Sequence, residues 1–189
     1  WDIDTDDVDL FAAAYDQVLT TSRQLSLHQE IPIVYVWDDH DYGSNNSDAA
    51  SPSKAAAATA YRRFAPHHAL SHEQAVYQSF WWGRVQLIVL AARSQRVVGD
   101  TMLGEAQLRW LQQELKAGAQ RAAVTFIVNP VPWIASSGQD SWAGFTDERA
   151  QIASWVAELK HDRVIMLCGD AHMLAIDDGR NNSYAPGAS

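Results

Sequence analysis

The segment 33–48 constrains the fold of this chain most strongly. It reads IVYVWDDHDYGSNNSD, so a run of apolar and aromatic residues is followed at once by three carboxylates and an imidazole. A continuous apolar run of this kind is typical of a strand that is covered on both faces. Adjacent ionisable groups are costly to bury unless a positive charge lies among them. We therefore predict a buried strand over 33–37 whose carboxyl end faces a metal ion.

A second segment repeats this arrangement far downstream. The apolar run Val164–Cys168 is followed by GDAH at 169–172. Ligands of open α/β sheets bind beyond the carboxyl ends of the strands, so two distant strand ends can form one site. Asp and Asn are also ordinary turn residues, but two strand ends that each carry an Asp and a His favour a site. We expect segments 38–41 and 169–172 to lie together.

Length and composition limit the class of protein. A chain of 189 residues with 47% hydrophobic residues is expected to form a single globular domain over 1–189. A net charge of −9 argues against a nucleic-acid-binding surface and against docking on anionic membranes. No apolar run has the length of a membrane span. Cys168 is the only cysteine, so no internal disulfide can form, and its position in an apolar run predicts a buried thiol.

The rest of the chain predicts alternating helices and strands, which is the pattern of an α/β fold. Periodicity, caps and breakers place helices after the acidic segment 1–9, from 51–55 onward, and over 101–117 and 147–160. Strands are predicted over 75–82, 84–91 and 124–128, the first two as a hairpin around Gly83. Three histidines cluster in 67–72, where a solvated loop is favoured over a metal site.

The predicted strand ends offer carboxylate, imidazole and side-chain amide groups. They cover 38–41, 129–133 and 169–172. Such ligands suit hard or borderline cations such as manganese, iron, zinc, calcium or magnesium. These cations polarise phosphoryl oxygens and generate hydroxide from bound water near neutral pH. A histidine beside them that is not a ligand can contact the phosphate or protonate the leaving alkoxide.

Two other functions remain open from the residues alone. Two of the carboxylates could act as a metal-independent glycosidase pair, which requires a separation of roughly 5–9.5 Å. Alternatively, the chain could be a metal-stabilised binding module without catalysis, in which case metal would raise the melting temperature only.

Three segments carry a resemblance to a known family. Residues 37–48, WDDHDYGSNNSD, resemble the signature of the PhoD-like (alkaline phosphatase D) family of calcineurin-like metallophosphoesterases. TMLGEAQL at 101–108 and GDAHML at 169–174 resemble later blocks of the same family, in the right order. The resemblance spans most of the chain.

This resemblance implies an α/β fold of the αββα sandwich type and a metal-dependent phosphomonoesterase or phosphodiesterase. It further implies two or more divalent or trivalent ions, from iron, calcium, manganese or zinc, and a small-molecule phosphate ester as substrate. His40 matches the phosphate-contacting histidine and general acid, and Asn45, in preference to Asn46, matches the asparagine near the second metal. The positions that match metal ligands are Asp39, Asp170, His172 and Asn129, the last by the weakest similarity.

The family pattern is also longer than this chain. Its first metal-binding strand and a Gly-Asp segment should precede residues 37–41, and further strands should follow 181–189. We therefore expect a fragment that is incomplete at both ends, with poor metal binding and weak or absent turnover, whereas the intact protein hydrolyses phosphate esters. Members of the family are commonly exported, which favours a secreted or periplasmic location.

Overall fold

A computed structural model describes residues 1–135 and 137–178, and one mixed four-stranded sheet forms its centre. The strands are β1 (Gln78–Trp82), β2 (Val85–Val89), β3 (Val124–Asn129) and β4 (Val164–Cys168). The helices are α1 (Val8–Leu19), α2 (Ser22–Glu30), α3 (Asp39–Tyr42), α4 (Lys54–Phe64), α5 (Gly104–Arg121) and α6 (Thr146–Glu158). The predicted α/β class is confirmed.

The strands follow one another across the sheet in chain order. β1 and β2 are antiparallel and joined by a tight turn at Gly83, whose positive φ of 59° suits a residue without a side chain. β2, β3 and β4 are parallel, with Val89 opposite Val128 and Asn129 opposite Cys168. The carboxyl ends of three strands therefore meet at one edge of the sheet.

Helices α5 and α6 cover one face of this sheet. Ile88 of β2 and Ile127 of β3 pack in one buried cluster with Leu111 and Leu115 of α5 and Ile152 of α6. Burying each such side chain contributes about 1.5–3 kcal/mol. This layer holds the two parallel crossovers in place and so fixes the strand ends relative to one another.

Glu148 of α6 organises the start of α5. Its carboxylate accepts hydrogen bonds from the Thr101 hydroxyl (2.6 Å) and from the N–H groups of Met102 (3.1 Å) and Leu103 (3.0 Å). These amides precede a helix, where donors lack intrahelical partners and a negative charge interacts favourably with the helix dipole. Residues 101–103, the first part of the segment that resembles a family block, therefore bind Glu148 and set the start of helix α5.

A second buried cluster surrounds α1 and α4. Phe11 and Tyr15 of α1 pack with Trp37 and Tyr61, and Trp110 of α5 contacts both clusters. The side chain of Asp7 caps α1 by accepting from the N–H of Asp9 (2.9 Å), as the acidic segment 1–9 predicts. The joined clusters place the 33–37 segment beside the sheet edge.

The strand predicted over 33–37 is wrong. The segment is not assigned to a strand, and no strand of residues 1–135 or 137–178 pairs with it. Packing holds it instead: Trp37 is buried, and the Tyr61 hydroxyl donates to the Tyr35 carbonyl (2.5 Å). Tyr35 and Trp37 pack against aromatic residues of α1 and α4 rather than against neighbouring strands, whereas Val34 is 45% exposed.

Strand β4 forms as predicted, but burial on both of its faces does not occur. Ile165 and Leu167 are 45% and 46% exposed, because they alternate with Val164 and Met166, which face the helical layer. Cys168 is exposed, so the prediction of a buried thiol is also wrong.

No helix in the described part of the chain has both the length and the apolar stretch that a membrane crossing requires.

Candidate metal centre

The short helix α3 begins directly after the 33–37 segment. Asp41 stabilises its first turn, because its Oδ1 accepts from the N–H of Asp38 (2.6 Å) and its Oδ2 accepts from the Tyr35 hydroxyl. Burial raises the pKa of Asp41, against these hydrogen bonds. Asp41 therefore serves the local fold, while Asp38 and Asp39 face the sheet edge.

Asp39 is buried, with 3% of its surface exposed. Its Oδ1 accepts from the N–H of His40 and its Oδ2 from the N–H of Asn46, both at 2.9 Å. Asn46 reaches this position with a φ of 61°, a conformation that asparagine tolerates better than most residues. A carboxylate has about four acceptor positions, so two remain for a cation after these two bonds.

Asp170 arrives from the end of β4. The N–H of Gly169 donates to the carbonyl of Asn129 (3.3 Å), and Asp170 then turns with a φ of 61°. One carboxylate oxygen from each of Asp38, Asp39 and Asp170 lies within 4.8 Å of the others. The structure thus brings Asp170, which follows β4, together with Asp38 and Asp39, which follow no strand and lie more than a hundred residues earlier in the sequence.

Two of the carboxyl groups, those of Asp38 and Asp170, have raised pKa values. Burial raises the pKa of Asp38 to about 6, with Asp39 and Asp170 adding to the rise and Arg93 opposing it. Burial and the charge of Asp140 raise the pKa of Asp170 as well, against the charge of Arg93. Each raised pKa means that negative charge is stabilised too little, and a bound cation would relieve this.

Arg93 lies in the middle of these charges with a fully buried side chain. Its Nε donates to Asp38 Oδ1 (2.5 Å), and its Nη1 and Nη2 donate to Asp140 Oδ1 (2.6 Å) and Oδ2 (3.3 Å). Nη2 also lies 4.0 Å from Asp39 Oδ1. Burial alone would lower the pKa of Arg93, but Asp38 and Asp140 hold it above its usual range.

Arg96 adds a second guanidinium to Asp140. Its Nη1 donates to Asp140 and its Nη2 to the carbonyl of Gln139 (2.7 Å), while its guanidinium lies 5.6 Å from the ring centre of Phe145. Burial would raise the pKa of Asp140, but Arg93 and Arg96 outweigh burial and lower it. The carboxylate of Asp140 is therefore held in place by the guanidinium groups of Arg93 and Arg96.

Asn129 ends β3 at the same edge and is 1% exposed. Its Nδ2 donates to the carbonyl of Val131 and lies 3.8 Å from Sγ of Cys168, whereas its Oδ1 is buried with no hydrogen-bond partner. An unpaired buried acceptor costs about 1–3 kcal/mol. The three carboxylates fit a metal site, and Asn129 adds an unpaired amide oxygen at the same edge of the sheet.

The remaining predicted site residues lie outside the carboxylate group. The side chain of His40 is 54% exposed, and its Nδ1 is 2.7 Å from Asp2 Oδ1, a hydrogen bond that raises the pKa of His40. Asn45 is exposed, and it is the N–H of its neighbour Asn46 that contacts Asp39. His172 is exposed, with a φ of 50°. Their assigned roles stay predictions.

The histidine segment 67–72 forms a loop, as expected. The rings of His67 and His68 stack on Tyr61 and Phe80, with centroids 5.8 Å and 4.1 Å apart. The loop borders a cavity of about 440 Å³, but among the described residues the three-ligand group contains none of these histidines. The cavity is thus separate from the candidate metal centre.

Sequence reasoning does not single out Arg93 and Arg96, because the polar segment 93–100 looks like a solvated loop, nor Asp140, which lies in the Gly- and Ser-rich segment 134–145. A signal was available. Arg93 follows the end of β2, so the rule that places Asn129 and Asp170 at the edge places Arg93 there too. Asp140 lies 47 residues from Arg93 in sequence, and nothing in the sequence pairs them.

Comparison with known families decides the wider assignment. The family described as PhoD-like phosphatase matches residues 4–188. The chain belongs to the PhoD-like phosphatase family. A search of curated proteins found no match. The match confirms the resemblance to the PhoD-like family, and this family points to hydrolysis of phosphate esters.

Proposed function

We propose that this PhoD-like chain carries the metal site of a phosphoric ester hydrolase whose substrates are small-molecule phosphate monoesters or diesters. One observation carries the proposal: Asp38, Asp39 and Asp170 place carboxylate oxygens within 4.8 Å at the edge where three parallel strands end. A phosphate ester is itself anionic, so these carboxylates repel it unless cations intervene. Metal ions bound to these carboxylates would supply the positive charge that attracts the phosphate ester.

The ligands that we assign are Asp39, Asp170, Asn129 and His172, for two or more ions drawn from iron, calcium, manganese or zinc. Asp39 supports this role best, because two backbone N–H groups fix its carboxylate and leave acceptor positions free. Asn129 contributes a buried oxygen without a partner. When bound, the ions supply Lewis-acid polarisation of a phosphoryl oxygen and acidify bound water.

We assign His40 the roles of phosphate contact and general acid. The hydrogen bond between its Nδ1 and Asp2 orients the ring and leaves Nε2 as the nitrogen available to substrate. The raised pKa of His40 keeps the proton on the ring at higher pH, which suits a group that protonates a leaving alkoxide. Asn45 is assigned a position near the second metal on its sequence match alone.

The proposal is tested with p-nitrophenyl phosphate and bis-p-nitrophenyl phosphate, each with Mn²⁺, Fe³⁺, Ca²⁺ or Zn²⁺. We expect metal-dependent hydrolysis that Asp39→Ala lowers by more than about 100-fold, since loss of a residue that only orients a metal ligand already lowers activity 10–100-fold. Asp16→Ala on the exposed side of α1 is the matched control and should leave the rate unchanged.

The same assay separates the other functions. Hydrolysis of a glycoside that survives chelation would favour a carboxylate-pair glycosidase. A metal-induced rise in melting temperature without any phosphate ester hydrolysis would favour a binding module. Either result would contradict the proposed activity.

A further inference from the structure

Hydrogen bonds hold the side chain of Arg93 and also the backbone two residues before it. Gln107 of α5 brackets Ala91, two residues earlier, by accepting from its N–H (2.8 Å) and donating to its carbonyl (2.9 Å). The guanidinium then reaches Asp38 with one nitrogen and Asp140 with two. The start of the Arg93 segment and the guanidinium of Arg93 are therefore both positioned by contacts within the protein.

This arrangement excludes Arg93 as a direct substrate contact. The side chain has no exposed surface, and each of its three nitrogens already donates to a carboxylate. A planar guanidinium can hold two carboxylates at a set distance, which a flexible ammonium group cannot do. The geometry instead suits a group that acts through Asp38.

We propose that Arg93 is a positioning residue of the metal site: by bridging Asp38 to Asp140, it fixes Asp38 beside Asp39 and Asp170 and keeps the carboxylates arranged for a cation. The inference rests on the proposed function, because it requires that the carboxylates bind metal. It adds a role for Arg93 and Asp140, and it ties the segment around Asp140 to the metal site.

Two effects of Arg93 on metal affinity have opposite signs. Its positive charge, 4.0 Å from Asp39, repels a bound cation, so charge alone predicts that removing Arg93 strengthens metal binding. Positioning predicts the reverse, because ligands that are free to move must be ordered when the metal binds. The direction of the change therefore distinguishes the two roles.

The test is calorimetric titration of the 189-residue chain with Mn²⁺. We expect Arg93→Met and Arg93→Lys each to weaken Mn²⁺ binding about 10–100-fold, the range for residues that orient metal ligands. Arg96→Met is the matched control, because it removes a buried guanidinium from Asp140 but leaves the Arg93–Asp38 contact in place. We expect it to change the Mn²⁺ dissociation constant less than about threefold, which is the size of indirect effects from a residue that contacts no metal ligand.

The melting temperature of every variant is recorded without metal. If Arg93→Met does not fold, the positioning role is tested with Arg93→Lys and Asp140→Asn instead. Asp140→Asn weakens the contact between Asp140 and Arg93 and should weaken Mn²⁺ binding by up to about 10-fold. Unchanged or tighter binding by Arg93→Lys, or equal losses in Arg96→Met, would overturn the positioning role alone. Absence of Mn²⁺ binding by the wild-type chain would overturn the proposed function as well.

Discussion

Glu148 offers a quantitative test of how the fold supports the strand ends. Replacing Glu148 with alanine leaves the N–H groups of Met102 and Leu103 without an acceptor, and both residues are fully buried. Each unmet donor costs about 1–3 kcal/mol, so the two cost about 2–6 kcal/mol. Burial raises the pKa of Glu148, which shows that its charge is itself costly, and relief of this cost offsets part of the loss. We expect a net loss of about 2–4 kcal/mol.

The assay is urea unfolding followed by tryptophan fluorescence. Glu148→Gln keeps one acceptor oxygen and should lose roughly half as much stability. Glu158→Ala, at the exposed end of the same helix, is the matched control and should stay within about 0.5 kcal/mol of wild type. A loss below about 1 kcal/mol for Glu148→Ala would refute the reasoning that these three contacts organise the start of α5.

Two further predictions concern pH and packing. The pKa of Asp38, about 6 instead of 3.8, means that the folded state binds this proton more tightly than the unfolded state. The contribution of Asp38 to the stability of the metal-free chain should therefore fall by about 2 kcal/mol as pH rises from 4 to 6. Urea unfolding across this range should show a shallower pH dependence for Asp38→Asn, and an equal dependence would contradict the assignment. In α5, Gly118→Ala would place a Cβ 2.8 Å from Thr125 Oγ1 and 3.0 Å from His161 Nε2. Because those atoms hydrogen-bond each other, we expect the crowding to cost about 1–3 kcal/mol, enough to outweigh the higher helix propensity of alanine. A rise in melting temperature for Gly118→Ala would contradict this prediction.

Much of the sheet and its helical cover could be predicted from the sequence, because these elements carry their own periodicity. Strands β1 to β4 and helices α5 and α6 lie close to the segments that apolar runs and breakers indicate. The strand-end rule places Asp170 at this edge of the sheet. Asp38 and Asp39 lie beside it as expected, although no strand precedes them.

The errors have a physical cause that the sequence does not resolve. An apolar run shows that side chains are buried but not what buries them, so 33–37 looks like a paired strand although helices cover Trp37. Charged residues after a strand resemble a solvated loop, because the oppositely charged residue that stabilises them when buried is remote in sequence. Arg93 and Asp140 were missed for this reason.

The most direct test of the central claim is anomalous X-ray diffraction from crystals of the chain grown with Mn²⁺. We expect an anomalous peak with carboxylate oxygens of Asp39 and Asp170 within about 2.0–2.6 Å, the range of distances between hard cations and their oxygen ligands. Ordered Mn²⁺ at other positions, with no peak between these two residues at saturating metal, would contradict it.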